Sequence, residues 1–123
     1  MTVSILVVED SESVRYLYKE MMSRMGIAIA EAEDGESAIV YLQENAPDFI
    51  ILDMLLPRIQ GTQVLEYIYR MPHLRNTCVI IISAHEKFRQ LQRRPGDHFI
   101  LKPVTLHQLR AIIKPVQSSV SSL

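Results

Sequence analysis

The chain alternates short apolar runs with longer stretches in which apolar residues recur every third or fourth position. The short runs are typical of buried strands and the wider spacing of amphipathic helices. Because each crossover must return to start the next strand, strict alternation predicts a parallel sheet with helices on both faces. The sequence therefore predicts a doubly wound, five-stranded α/β fold, with strands at Val3–Val8, Ile27–Ala30, Phe49–Leu52, Val79–Ile82 and Phe99–Leu101.

The helices predicted between these strands have recognisable ends. The first is expected over Ser13–Met25, and its inward face would consist of Val14, Leu17, Met21 and Met25. The last is expected over Thr105–Lys114, where Pro115 would end it because proline breaks the hydrogen-bond ladder of a helix. The folded domain is predicted to span residues 1–117, and the serine-rich segment 118–123 to form a flexible tail.

Composition excludes several classes of function. A length of 123 residues fits one domain, and 13 basic against 14 acidic residues exclude binding to nucleic acid or to an anionic membrane by bulk charge. The single cysteine, Cys78, cannot form an internal disulfide, and the apolar runs are too short to span a bilayer. The first residues do not resemble a signal peptide, so a reducing cytoplasm is the expected location.

Polar residues follow four of the predicted strands directly. They are Glu9 and Asp10, Asp53, Ser83 and Lys102. Since the carboxyl ends of parallel strands form one rim, these side chains are expected to meet there. Three carboxylates in one place would repel each other, and oxygen ligands favour Mg²⁺ as the cation that holds them. This arrangement suggests phosphoryl chemistry, with Asp53 as nucleophile and Ser83 and Lys102 stabilising the transferred group.

The chain resembles the CheY-like response-regulator receiver domains of two-component signalling. The matching segments cover nearly the whole chain in the expected order: Ile5–Asp10, Ala32–Ala38, Asp48–Asp53 with Pro57 and Gly61, Ser83-Ala84 and Lys102-Pro103. The resemblance implies the flavodoxin-like strand order 2-1-3-4-5.

The resemblance also assigns roles to residues of the site. It implies that Asp53 accepts the phosphoryl group and that Lys102, before a cis peptide bond to Pro103, pairs with it. Mg²⁺ would be held by Glu9, Asp10, Asp53 and the backbone carbonyl of Leu55. Ser83 and Phe99 would move together as the switch after phosphorylation.

The expected partners follow from the same resemblance. They are a histidine kinase or phosphotransfer protein as donor and a downstream protein that the sequence does not identify, without direct nucleic-acid or membrane binding. An effector domain is not expected in the chain. Catalysis would be limited to the protein's own aspartyl phosphorylation and dephosphorylation.

The fourth crossover departs from the family pattern. Ser83 and Lys102 are only 19 positions apart, so the fourth helix is expected to be short, beginning near Glu86 and stopped by Pro95. This departure affects the usual output surface but not the phosphorylation site. Leu55 and His85 occupy the two variable positions that adjust phosphate lifetime in the family.

Simpler structural roles compete with some of these assignments. Ser83 could cap the next helix, and Phe99 could be a core residue. We interpret the cluster Lys87, Arg89, Arg93 and Arg94 as a solvated face, Cys78 as buried core, and Tyr16, Tyr18, Tyr67 and Tyr69 as covers of helix flanks. The four histidines, His73, His85, His98 and His107, lack the spacing of metal ligands.

Three other functions compete with phosphoryl transfer onto Asp53. The first is a phosphorylation-independent interaction module on the same fold, which the intact Asp10, Asp53 and Lys102 argue against. An aspartate-nucleophile phosphatase needs a second aspartate two positions after the first, where this chain has Leu55. A nucleotide site lacks the glycine-rich loop after the first strand.

Overall fold

The computed structural model describes residues 2–121, and the alternation of strands and helices in it confirms the predicted fold class. The strands in particular begin and end within two residues of their predicted positions. In chain order the elements are β1 (Ser4–Val8), α1 (Glu12–Met22), β2 (Ala28–Ala32), α2 (Gly35–Glu44), β3 (Phe49–Asp53), α3 (Gly61–Arg70), a first 3₁₀ helix (Pro72–Leu74), β4 (Cys78–Ser83), a second 3₁₀ helix (Glu86–Leu91), β5 (His98–Leu101) and α4 (Leu106–Ser121).

The five strands form one parallel sheet in the order β2-β1-β3-β4-β5, as the resemblance implies. In the register of the sheet, Leu52 of β3 is paired with Val8 of β1, and Asp53 with Ile82 of β4. Ser83 of β4 is paired with Leu101 of β5. The carboxyl ends of β1, β3, β4 and β5 therefore lie along one edge of the sheet.

The central strands are buried on both faces. Ile50 and Leu52 of β3 belong to the core that α2 and α3 cover, and Phe49 and Ile51 belong to the core that α1 and α4 cover. Burying an aliphatic side chain of this size stabilises a fold by about 1.5–3 kcal/mol. Packing on both faces thus makes β3 a fixed support for the residues at its carboxyl end.

The inward face of α1 differs from the prediction. The helix ends at Met22, and it buries Tyr18 and Met22, whereas Leu17 is 51% exposed. The buried stripe is shifted by one position because the ring of Tyr18 offers a larger apolar surface than Leu17. The interpretation of Tyr18 as a cover of the helix flank was therefore wrong.

The prediction that Pro115 ends the last helix was also wrong, because α4 continues through Pro115 to Ser121. Proline removes one backbone donor. Contacts on both sides compensate, since Ile113 is fully buried and the Gln117 side-chain amide donates to the Met25 carbonyl. Of the segment 118–123, predicted as a tail, residues 118–121 are helical, and 122 and 123 lie outside the described residues.

The fourth crossover is short, as predicted, and takes the form of the 3₁₀ helix Glu86–Leu91, none of whose residues is buried. Of the basic cluster near it, Lys87, Arg89 and Arg93 are exposed, as expected for a solvated face. Arg94 is different, because its guanidinium lies 3.1 Å from the buried Asp97 and donates to three backbone carbonyls, those of Leu74, Arg75 and Thr77. Its interpretation as a solvated residue was wrong.

Cys78, predicted as buried core, is only half-buried. Its thiol donates to the backbone carbonyl of Gly96 at 2.7 Å, which places it at the margin of the sheet. Burial, together with the charge of Asp97, raises the pKa of this thiol to about 12. The thiol is therefore protonated at neutral pH.

Candidate functional site

Asp53 is the last residue of β3 and lies at the centre of the edge formed by the strand ends. Its side chain is almost fully buried and both carboxylate oxygens are engaged. Oδ1 accepts a hydrogen bond from the Leu55 backbone N–H at 2.8 Å, and Oδ2 accepts one from Lys102 Nζ at 2.6 Å. Donors from two different elements thus hold the carboxylate in one orientation.

Lys102 reaches Asp53 because β5 ends beside β4. Its backbone N–H donates to the Ser83 carbonyl at 2.9 Å, and its peptide bond to Pro103 is cis, as the resemblance implies. Burial alone would lower the pKa of Lys102, but the hydrogen bond and charge of Asp53, with the charges of Glu9 and Asp10, raise it above its ordinary value. The site therefore contains a fixed ammonium group beside the aspartate.

Glu9 follows β1 and is buried, with 4% of its surface exposed. Its Oε1 accepts from the Ser11 backbone N–H at 3.4 Å, but Oε2 has no hydrogen-bond partner among the described residues. Burial first, and then the neighbouring Asp53, raise the pKa of Glu9 to about 8. A buried carboxylate oxygen without a donor is costly unless a proton or a cation is bound to it.

The acidic residues at this edge fit a small hard cation. Asp53 helps to raise the pKa of Glu9, and both Glu9 and Asp10 help to raise the pKa of Lys102, so the three acidic side chains share one region. Within residues 2–121, no three histidine, cysteine or acidic side chains are already arranged around a common point. Mg²⁺ commonly keeps several waters and takes only one or two protein carboxylates, so this donor set suits it.

Ser83 and Phe99, the predicted switch residues, lie on neighbouring strands. Ser83 is buried, and its Oγ accepts a hydrogen bond from the His85 backbone N–H at 2.9 Å. The N-cap of the following 3₁₀ helix is His85, so the alternative role of Ser83 as a helix cap was wrong. Phe99 is half-buried, and the guanidinium of Arg89 lies 4.7 Å from its ring centre.

Two further residues, one packed close to the site and one in the loop after β3, were not identified from the sequence. Tyr18 is buried on α1, and its pKa is raised by burial and then by the charges of Glu9 and Asp53. It lines an open recess of about 370 Å³ together with Val14, Leu17, Lys102, Pro103 and Val104.

Arg58, in the loop after β3, forms an ion pair of 2.7 Å with Asp34. The four-residue spacing from Val14 to Tyr18 could have indicated the first, but no local signal indicates the second.

A sequence model of the response regulator receiver domain family matches residues 5–114. This chain belongs to that family. The receiver domain is 33% identical over 123 residues to the phosphate regulon transcriptional regulatory protein PhoB of Escherichia coli, an alignment that covers 97% of this chain and 53% of PhoB. It is 29% identical to the alkaline phosphatase synthesis transcriptional regulatory protein PhoP of Bacillus subtilis, covering 94% and 49% of the two chains. The chain thus spans about half the length of these curated relatives.

Solved receiver domains share the fold. The receiver domain of the putative Luxo repressor protein from Vibrio parahaemolyticus is 27% identical, with a TM-score of 0.83 and coverage of 99% of this chain and 96% of that one. The receiver domain of the sensor histidine kinase PA1611 from Pseudomonas aeruginosa, with a magnesium ion coordinated in its active site cleft, is 24% identical, with a TM-score of 0.81 and coverage of 94% and 97%. Among the described residues of this chain, none of the helices has the length and hydropathy needed to cross a bilayer.

Proposed function

We propose that this receiver domain accepts a phosphoryl group on Asp53 from the phosphohistidine of a histidine kinase or phosphotransfer protein. The observation that carries the proposal is the 2.6 Å contact between Lys102 Nζ and the buried Asp53 carboxylate, beside a Glu9 oxygen that has no hydrogen-bond partner within residues 2–121. A structural ion pair alone does not explain why a second acidic side chain is buried next to it, since both burial and Asp53 disfavour the charged form of that side chain. A site that binds a cation and a phosphoryl group explains both.

The transfer itself is a displacement at phosphorus. An Asp53 oxygen forms a bond to phosphorus, the bond between phosphorus and the histidine nitrogen breaks, and the leaving imidazole takes a proton from solvent. The Lys102 ammonium neutralises charge on the transferred oxygens, and the Leu55 N–H keeps the carboxylate oriented. Catalysis by the domain is then limited to its own phosphorylation and to the hydrolysis of the resulting aspartyl phosphate.

Glu9, Asp10, Asp53 and the carbonyl of Leu55 would hold Mg²⁺. When bound, the ion neutralises negative charge on the phosphoryl oxygens. The unpartnered Oε2 of Glu9 supports this assignment, as does the magnesium ion in the active site cleft of the PA1611 receiver domain.

The proposed switch would begin with a new hydrogen bond from Ser83. Ser83 Oγ accepts from the His85 backbone N–H, and its own hydroxyl would donate to a phosphoryl oxygen on Asp53. A shift of Ser83 would open space for Phe99, and the Arg89 side chain above Phe99 would move with it. Phosphorylation would thus change the population of two forms of the surface that a protein partner contacts.

Intact-mass measurement tests the phosphorylation. Wild type and Asp53→Ala are incubated with Mg²⁺ and a small acyl phosphate, and in parallel with a phosphorylated histidine donor protein. We expect wild type alone to gain one phosphoryl group, and hydroxylamine to remove it because an acyl phosphate is labile to this nucleophile. A folded wild type that gains no mass from either donor would contradict the proposal.

A second candidate is a phosphorylation-independent interaction module. The fourth crossover favours it, because a short 3₁₀ helix stands there in place of an α-helix. The Glu86–Leu91 segment has no buried residue and places Lys87 Nζ 5.3 Å from the centre of the partly buried Phe88 ring, which gives a basic and aromatic surface. In this case a partner would bind wild type and Asp53→Ala equally, with or without acyl phosphate. Binding that changes only when wild type is phosphorylated would support the first function instead.

A further inference from the structure

The loop Met54–Gln60, which follows Asp53, is joined to the start of α2 by an ion pair. Arg58 Nη2 lies 2.7 Å from Asp34 Oδ2. Asp34 is the N-cap of α2 and accepts the Ser37 backbone N–H at 2.7 Å. Since the Asp34 side chain is 12% exposed and bound to its helix, the ion pair attaches the loop to a fixed point.

The backbone at Arg58 has a φ of 58°, in the left-handed region. A residue with a Cβ atom is strained in this region, and such strain persists only where surrounding contacts determine the conformation. The side chain of Arg58 provides such a contact through Asp34. The loop therefore holds its shape partly through this ion pair.

Two glycines show how closely the loop is packed. A Cβ atom at Gly35 of α2 would lie 2.6 Å from the Ile59 carbonyl oxygen, and one at Gly61 would lie 2.6 Å from Met54 Cα. Both distances are shorter than a van der Waals contact. The loop thus packs directly against Gly35 of α2 at Ile59, next to Arg58. At Gly61 the end of the loop packs against its start at Met54.

This loop carries the group that orients the reactive carboxylate. The Leu55 backbone N–H donates to Asp53 Oδ1 at 2.8 Å, and the Leu55 side chain is 57% exposed. A shift of the loop would therefore move both the hydrogen-bond donor and the apolar side chain relative to Asp53.

We propose that Arg58 is a positioning residue that determines how long a phosphoryl group stays on Asp53, an inference that rests on the proposed function. In hydrolysis, a water oxygen bonds to phosphorus and the bond to the Asp53 oxygen breaks. The products are the Asp53 carboxylate and inorganic phosphate, which keeps both protons of the water. Arg58 holds the loop so that Leu55 restricts the approach of this water.

Two substitutions break the ion pair from either side. Arg58→Ala removes the guanidinium, and with it a weaker contact of 3.8 Å with Glu36, but keeps a Cβ atom at the strained position. Asp34→Asn removes the charge but keeps a side chain that can cap α2, since asparagine is a favourable N-cap residue. The double variant tests whether both act through the same interaction.

The experiment follows the loss of the phosphoryl group by intact mass after labelling with a small acyl phosphate and removal of the reagent. We expect each single variant to lose it about twofold to fivefold faster than wild type, the range that one partly exposed ion pair can supply. The double variant should be no faster than the faster single variant. Arg58→Lys should recover part of the lifetime because it keeps the charge.

Arg93→Ala is the matched control. It removes an exposed ion pair of 3.2 Å with Glu66, and Arg93 lies before the amino end of β5, away from Asp53. Its phosphoryl lifetime should equal that of wild type. Single variants that hydrolyse at the wild-type rate, or no faster than Arg93→Ala, would overturn the role of Arg58. A wild type that takes no label would overturn the proposed function instead.

Discussion

Arg94 Nε lies 3.1 Å from Asp97 Oδ2, and this ion pair fixes the chain immediately before β5. The Asp97 carboxylate also accepts the backbone N–H of Val79 in β4 and the hydroxyl of Tyr69 in α3, each at 2.8 Å. The Asp97 side chain is 1% exposed, so its charge is balanced by protein donors rather than by water. One carboxylate thus connects three elements at the edge of the sheet opposite Asp53.

Replacing Asp97 with alanine should lower the free energy of unfolding by about 3 kcal/mol, because it leaves the partly buried Arg94 without its counter-charge. Urea denaturation monitored by circular dichroism measures the change. Glu66→Gln, which weakens an exposed ion pair with Arg93 but leaves the Arg93 side chain on the Tyr69 ring, should cost less than about 1 kcal/mol. Equal losses for the two variants would show that the Asp97 network is not a main source of stability.

The positions that the sequence predicts correctly are those that depend only on backbone geometry. Continuous apolar runs identify β3 and β4 as central strands, and a parallel sheet then requires Asp53 and Lys102, which directly follow such runs, to meet. These inferences need only the period of a strand and the direction of neighbouring strands. They hold whichever side chains surround the site.

The residues that were missed depend on partners far along the chain. Arg58 is ordered by Asp34, and Arg94 is ordered by the carbonyls of Leu74 and Thr77 as well as by the nearby Asp97. The distant contacts leave no local pattern in the sequence. Pro115 was misjudged for the same reason, since the contact of Gln117 with Met25 outweighs the local preference to end the helix. Local preferences are routinely overridden by tertiary contacts of this kind.

Glu9 should make the stability of the metal-free protein depend on pH. Its pKa is raised from 4.5 to about 8 in the folded protein, first by burial, so the folded state holds a proton that the unfolded chain releases. The resulting stabilisation is complete below pH 4.5 and is lost as the pH rises toward 8. Urea titrations in EDTA between pH 5 and 8 should show this decline for wild type, relative to Glu9→Gln, which has no proton to lose. Parallel profiles for the two proteins would contradict the assignment.

Mg²⁺ should stabilise the fold through the same carboxylates. At about 100 times its dissociation constant, a ligand that binds only the folded state adds roughly 2.7 kcal/mol to the free energy of unfolding. Thermal melting in EDTA and in saturating MgCl₂ at equal ionic strength measures the effect. Asp10→Asn should reduce it, whereas Glu66→Gln, which alters an exposed carboxylate on α3, should leave it unchanged. A melting temperature that does not respond to Mg²⁺ would exclude a cation site at this edge.

Asp53→Asn should abolish phosphorylation and keep the fold. The asparagine carbonyl can still accept the Leu55 N–H, and the substitution removes the repulsion between Asp53 and Glu9. The cost is the contact with Lys102, whose side chain is 34% exposed and can be hydrated instead. We therefore expect the free energy of unfolding to change by no more than about 1 kcal/mol.

The same substitution should also change how the stability of the protein depends on pH. Burial is the main cause of the raised pKa of Glu9, and Asp53 is the next. Asp53→Asn should therefore move the pH-dependent decline in stability to lower pH. Asp53→Ala, which cannot accept the Leu55 N–H, serves as the comparison for lost hydrogen bonding. If Asp53→Asn unfolds under conditions in which wild type is stable, Asp53 is mainly a structural partner of Lys102, and the phosphoryl acceptor has to be sought elsewhere.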